Sequence, residues 1–380
     1  MAIWPWQING ELIEANEWLT DVIRAKSSEQ RFAQRQIPRQ SFVFSHNFTE
    51  QGYNAARSII RQNSSLQVPD WTLAVDVGSV AVDSAPLVTY SEPGVYIGDQ
   101  VLVWESPTKH EAAAVVDTDS GSGLYLDGIS DDYDNAKIIP LRSAQAPEGL
   151  QGSRRAGPRI ETSIEFNLTD ARDIGQSAYP KYRGHDLVTD CPVIAGETFS
   201  EPLQWPLDSI DNGVNYPTHF ATRNTWDASF MMRWHVFNRA DLYSLRRFIH
   251  SRRGKWKSFW LPSFRNDFTL AQQIGASDGF VVVYAPDGIT DLGYATFDIE
   301  IDGQYYRQVT GYSASTAADG RAILQLNIDS AIGTTLGAGS RISYLRHLRF
   351  AADRIEFNHQ FNRASRISTH CAVPCIEIPA

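Results

Sequence analysis

Cysteine is scarce in this chain, with three among 380 residues, too few for the closed disulfide frameworks that staple small secreted domains. That scarcity suits a reducing compartment. Long hydrophobic runs are also missing: no stretch approaches the ~18–20 continuous apolar residues that a bilayer span needs, so no membrane insertion is expected. The opening Met1-Ala2-Ile3-Trp4-Pro5-Trp6 is followed by polar and acidic residues and has no basic or apolar signal region. Synthesis and assembly in a cytoplasm are therefore expected. Positive charge is in deficit, with 34 Lys and Arg against 44 Asp and Glu. Phosphate-binding surfaces are basic overall, so no sequence-specific nucleic-acid binding is expected, although a local basic patch remains compatible with this balance.

The usual catalytic signatures are absent too. The chain has no Gly-x-Ser-x-Gly elbow, no Gly-x-x-x-x-Gly-Lys-Ser/Thr loop and no His-Glu-x-x-His helix. With 44 acidic residues, plausible carboxylate pairs are inevitable and carry no weight. Asp127, Asp131, Asp132 and Asp134 lack the alternating ligands, central Gly and terminal Glu of a calcium loop, so they read as a solvated turn. Cys371 and Cys375, beside His370, have no second pair at zinc-finger spacing. The expectation is a chain with no enzymatic activity, no cofactor and no metal.

Aromatic residues are abundant, with 10 Trp, 18 Phe and 15 Tyr, and so are signs of repetition. Ile164-Glu165-Phe166-Asn167 recurs as Ile355-Glu356-Phe357-Asn358, about half a chain later. Phe48 stands before Tyr53, Ala56, Ile59 and Ile60, as Phe237 stands before Leu242, Leu245, Phe248 and Ile249. Trp4-Pro5 and Trp205-Pro206 open the two halves, and Cys191 and Cys371 lie near their ends. Internal repetition takes precedence in deciding architecture. The reading is a tandem duplication in which Glu165 and Glu356 hold equivalent places.

Residues 1–36 read as an arm anchored by Trp4, Trp6 and Trp18, which either dock on a neighbouring molecule or pack on the arm's own domain. Alternation at Phe42, Phe44 and Phe48 predicts a half-buried strand, followed by a helix over Gln51–Gln62. The second half predicts a strand over Phe230–Phe237 and a helix over Ala240–His250. Short strand signals separated by Pro-Gly, Gly-Ser-Gly and Asp-Gly turns place small β-barrels at 73–143 and 266–345. The fold class is mainly β with two short helices: tandem β-domains (37–72 with 144–204, and 205–265 with 346–380), each interrupted by a barrel.

The basic run Arg246, Arg247, His250, Arg252, Arg253, Lys255 and Lys257 is the main local charge feature. Leu242, Leu245 and Ile249 take the helix's buried stripe, which leaves Arg246, Arg253 and the lysines outward, toward a carboxylate-rich partner, passing nucleic acid or solvent. Trp256, Phe259, Trp260 and Phe264 read as core or interface anchors, since aromatics flanked by Arg form interface hot spots.

Several of these segments resemble tailed-phage tail-tip proteins of the distal-tail type: Glu17-Trp18-Leu19-Thr20-Asp21-Val22, Glu29-Gln30-Arg31 with Pro38-Arg39, Arg233–Ala240, Arg253-Gly254, Phe259-Trp260-Leu261-Pro262, Ile342–Leu345 and Arg349–Asp353. The resemblance implies a structural virion component of a long non-contractile tail. Such a protein is made in the host cytoplasm and forms a ring around the DNA channel at the tail tip or baseplate. Its implied partners are itself, the tail tube protein, and hub and fibre proteins. It implies tube-like β-domains, and two such units per chain would let three chains present six places, with a hexamer the other possibility. The other functional class compatible with small barrels and exposed aromatics is a carbohydrate-binding, or polysaccharide-cleaving, receptor module of the tail.

Overall fold

The computed structural model describes residues 1–25, 28–83, 86–119, 123–154, 157–192, 202–221, 227–361 and 367–378. Gly121 and Ser122 of the Gly-Ser-Gly turn lie outside them. The chain is mainly β with two helices, and its strands pair in a pattern that occurs twice. The first copy contains β1 (Glu11–Glu17), β2 (Arg39–Phe48), α1 (Glu50–Gln62), β3 (Leu66–Pro69), β4 (Tyr133–Gln145), β5 (Leu150–Arg154) and β6 (Ile160–Leu168). The second contains β7 (Leu203–Gln204), β8 (Asp227–Val236), α2 (Arg239–Arg252), β9 (Phe259–Pro262), β10 (Ile342–Phe350), β11 (Arg354–Phe361) and β12 (Ile367–Glu377).

In the first copy, β6 pairs with β2, β5 and the end of β4, while β4 also pairs with β3. In the second, β12 pairs with β8, β11 and the end of β10, while β10 also pairs with β9. All these ladders are antiparallel. The duplication is thus written in the hydrogen bonding, element for element.

Local sequence explains each piece. Phe42, Phe44, His46 and Phe48 are buried on one face of β2, and Ile160, Thr162, Ile164, Phe166 and Leu168 on one face of β6, the period-2 pattern of a half-buried sheet. Thr49 caps α1 by accepting a hydrogen bond from the Gly52 amide at 3.2 Å, and Asn238 caps α2 by accepting one from Asp241 at 2.8 Å, which satisfies an orphan donor at each helix start. Each copy has its own core, one around Phe44, Phe166 and Leu12, the other around Phe248, Phe259 and Phe357.

The inserts between β3 and β4 and between β9 and β10 are also copies. In the first, the ladder runs Leu87–Thr89, Gly123–Leu126, Lys109–Asp119, Gln100–Ser106, β4. In the second it runs Phe280–Tyr284, Ala322–Ile328, Tyr305–Thr316, Phe297–Ile301, β10. A register shift falls between Val115 and Asp117 in one and between Val309 and Gly311 in the other. The two inserts thus share a bulge at the same place as well as the strand order. Isolated bridges link the ends of each ladder: Phe268 pairs with Ile342 of β10 and Leu270 with Val283 in the second, and in the first β4 also pairs with Val75–Val80, beyond which Asp83 bridges Ile129.

The repeated tetrapeptide is not part of this correspondence. Ile164–Asn167 lies in β6, whose counterpart is β12, whereas Ile355–Asn358 lies in β11, whose counterpart is β5. Ile164 faces Phe44 as Val373 faces Met232, so Glu165 and Glu356 sit on neighbouring kinds of strand. The match arose because any half-buried strand favours apolar–polar alternation. Phe48 and Phe237 are likewise not equivalent: Phe48 is buried, and Phe237, one residue beyond β8, is 65% exposed. Cys371 is in β12, while Cys191 lies outside any strand.

Candidate assembly surface

The two copies meet at β1. This strand pairs antiparallel with β2 of its own copy and, along its other edge, with β11 of the second. One continuous sheet results, in the order β5–β6–β2–β1–β11–β12–β8–β7. The segment read as an arm is therefore the seam of the molecule.

A buried polar network locks that seam. Glu14 on β1 is 4% exposed and accepts hydrogen bonds from Arg246 of α2, through Nε at 3.0 Å and through Nη2. Arg246 Nη2 also donates to the Thr72 hydroxyl at 2.9 Å, and that hydroxyl donates to Asp70 at 2.5 Å. His359 of β11 lies 3.1 Å from Glu14 through Nε2 and 2.7 Å from the Thr369 hydroxyl through Nδ1. The neutral ring protonated at Nε2 satisfies both contacts, donating to Glu14 and accepting from Thr369. Asn16 donates to Glu14 at 3.1 Å, and Gln40 donates to Asn16 at 2.8 Å. Burial would raise the Glu14 carboxyl, but the Arg246 guanidinium and the His359 ring hold it well below the ordinary carboxylate range. Burial pushes His359 down, against the opposing pull of Glu14. An ion pair taken out of water at this depth persists because every partner is satisfied, and it fixes geometry more than it adds stability.

Beyond β1 the chain continues across the second copy. Trp18, immediately after the strand, is 1% exposed and belongs to the second copy's core, with His250 edge-on at 5.4 Å. Asp353 holds this segment by accepting from the amides of Thr20 and Lys255, both at 3.0 Å. The hairpin Thr20–Arg24/Glu29–Ala33 then covers β10, where Glu29 pairs bidentately with buried Arg349 at 2.6 and 3.1 Å. Burial raises the Glu29 carboxyl, and the guanidinium of Arg349 outweighs it.

The sequence-derived interface residues divide sharply. Trp4 is fully buried in the first copy's core, its indole donating to His46 Nε2 at 3.1 Å, and half-buried Trp6 packs on it at 4.7 Å. Trp260 is 3% exposed and stacked on His347 at 4.5 Å. Trp4, Trp18 and Trp260 are thus used within the chain and present no surface to another molecule. Arg246, expected outward, is buried, because β1 covers the helix face that periodicity alone leaves to solvent. Arg247 is half-buried against Tyr243, and Arg253 and Lys257 flank half-buried Trp256 at 5.4 and 4.8 Å. Trp6, Arg247, Arg253 and Trp256 keep part of their surface exposed.

Sequence reasoning missed the most exposed apolar stretch. Leu203 (64%), Trp205 (51%), Leu207, Ile210, Val214 (85%), Tyr216 (98%) and Phe220 are all exposed, along β7 and the hairpin Leu207–Ile210/Thr218–Ala221. Contiguous apolar exposure of this kind marks an interaction surface. Its signal was the density of large apolar residues between Leu203 and Phe220. No protein-family model matches the chain, and no curated protein was found to be similar to it.

Proposed function

We propose that this chain is a ring-building structural component of a phage tail tip or baseplate, joining the tail tube to hub and fibre proteins around the DNA channel. The observation that supports this most is the head-to-tail relation of the two copies. The β11 edge of the second copy is joined, through β1, to the β2 side of the first, while the like edges at β5 and β7 have no second partner among the described residues. A heterologous contact that repeats by rotation closes into a ring, and open strand edges are otherwise an aggregation hazard. The phage assignment rests on the resemblance of the quoted segments, and the duplication favours three chains with pseudo-sixfold symmetry over six. The role is non-catalytic: the buried carboxylate–arginine–histidine cluster is fully engaged in holding the seam. Averaged images of tail tips carrying a tag on this chain test the proposal. Threefold density of the tag at the tube's end is expected; density confined to peripheral fibres would point to the receptor-module reading instead.

A further inference from the structure

The internal seam specifies how one chain would dock on the next. Each part of the seam has a counterpart that lies at an open end of the same molecule. β7 follows the β1 pattern: β1 pairs with β2 and is followed by Trp18 and the hairpin Thr20–Arg24/Glu29–Ala33, while β7 pairs with β8 and is followed by Trp205 and the hairpin Leu207–Ile210/Thr218–Ala221. The sequence repeats the spacing as well, with Glu14 and Trp18 matched by Glu201 and Trp205, Glu201 itself lying outside the described residues.

The receiving side is also present twice. α2 and α1 carry their apolar residues at the same distances from their N-caps: Leu242, Leu245, Phe248 and Ile249 against Tyr53, Ala56, Ile59 and Ile60. Arg246 on α2 has Arg57 at its place on α1. On α2 all four, packed in the second copy's core together with Trp18 of the arm, and Arg246 are buried, whereas on α1 only Ala56 is buried and Arg57 is exposed. β11 pairs on both edges, while its counterpart β5 has one partner among the described residues, β6. The uncovered acceptor and the uncovered arm are the two halves of the seam already seen closed.

We propose that β7, Trp205 and the following hairpin of one chain dock on β5 and α1 of a second copy, reproducing the β1–β11 junction between molecules. This rests on the ring reading and gives it a register. Asn16 faces Ile355 across the internal seam, and the matched pairings place Leu203 at the position of Asn16 and Leu150 at that of Ile355. Leu203 of one chain therefore faces Leu150 of the next, with Cα atoms about 4.5–5.5 Å apart, within the Cα separation a disulfide spans.

The test is oxidative cross-linking of purified full chain in a Cys191→Ser background, with native mass measured in parallel. Leu203→Cys/Leu150→Cys is expected to give intermolecular dimers and higher species. Leu203→Cys/Ser153→Cys, out of register and on the other face, is expected to give none. Trp205→Ser is expected to weaken self-association about 30-fold or more, as for an interface anchor, with thermal unfolding of the monomer unchanged at dilutions where the parent is also monomeric, and partial recovery of self-association in Trp205→Phe. Assembly of the parent chain without cross-linking of the Leu203–Leu150 pair overturns this junction and leaves the ring reading in place. Monomers of every variant and of the parent at high concentration overturn both.

Discussion

Trp18 and Trp205 occupy equivalent positions, each the first residue after its copy's edge strand, yet one is 1% exposed and the other 51%. Trp18 fills the second copy's core, and Trp205 has no second copy ahead of it in the same chain. Two substitutions of the same residue type should therefore have opposite consequences. Trp18→Ala should cost about 3–5 kcal/mol of folding stability, as for a buried Trp. Trp205→Ala should stay within about 0.5 kcal/mol, as for surface substitutions. Denaturant titration at a concentration where the protein is monomeric measures both; equal losses would refute the equivalence.

The seam network predicts an asymmetric response to charge removal. Glu14→Gln leaves Arg246 buried without its counter-ion and should cost about 3–5 kcal/mol. Arg57, at the corresponding place on α1, is exposed over Tyr53, so Arg57→Met should leave monomer stability nearly unchanged. A large loss in the Arg57 variant, read by the same titration, would contradict the assignment of α1 as an uncovered surface.

Acid should loosen the fold through its buried imidazoles. Burial lowers His46 to about 4 and His250 to about 4, against an ordinary value near 6.5. Neither ring nitrogen of His250 has a hydrogen-bond partner among the described residues, and the charges acting on it are Glu14 and Asp173, which favour its cation, and Arg246 and Arg142, which oppose it. A depressed folded-state pKa makes protons favour the unfolded chain. The contribution is thus complete above about pH 6.5 and is lost as pH falls toward 4. Glu14, also depressed, adds a loss of the same sign below the ordinary carboxylate range. His250→Phe should flatten the stability decline between about pH 6.5 and 4; an unchanged slope in urea titrations would refute the role given to His250.

The turn after α2 should resist substitution. Arg253 and Gly254 are both left-handed, with φ of 54° and 64°, and a Cβ on Gly254 would meet the Asp353 carboxylate, with the Trp18 Cβ 3.2 Å away. Gly254→Ala should therefore cost about 1–3 kcal/mol and disturb the latch that Asp353 makes with Thr20 and Lys255. A thermal midpoint equal to the parent's would count against it.

Much of the architecture was readable in sequence because it depends on local pattern. Alternation at Phe42, Phe44 and Phe48 and the spacing of Leu242, Leu245 and Ile249 give strand and helix without knowledge of their neighbours. The equivalences were harder. Ile164–Asn167 and Ile355–Asn358 matched because half-buried strands draw on the same few residues, while the true counterparts, Ile164 and Val373 or Phe166 and Cys375, share only burial. Arg246 was misplaced for a related reason: periodicity marks one helix face as buried and cannot foresee that β1 covers a second. Trp205 was paired with Trp4 because both precede proline, whereas hydrogen-bond register pairs it with Trp18. Register between distant strands is set by the fold as a whole, and no local pattern carries it.

The central claim is that the chain is two consecutive places of a closed ring. Native mass of the purified protein tests this most directly. Three chains of 42.5 kDa in one stable particle is the predicted result; a monomer that persists at high concentration would contradict it.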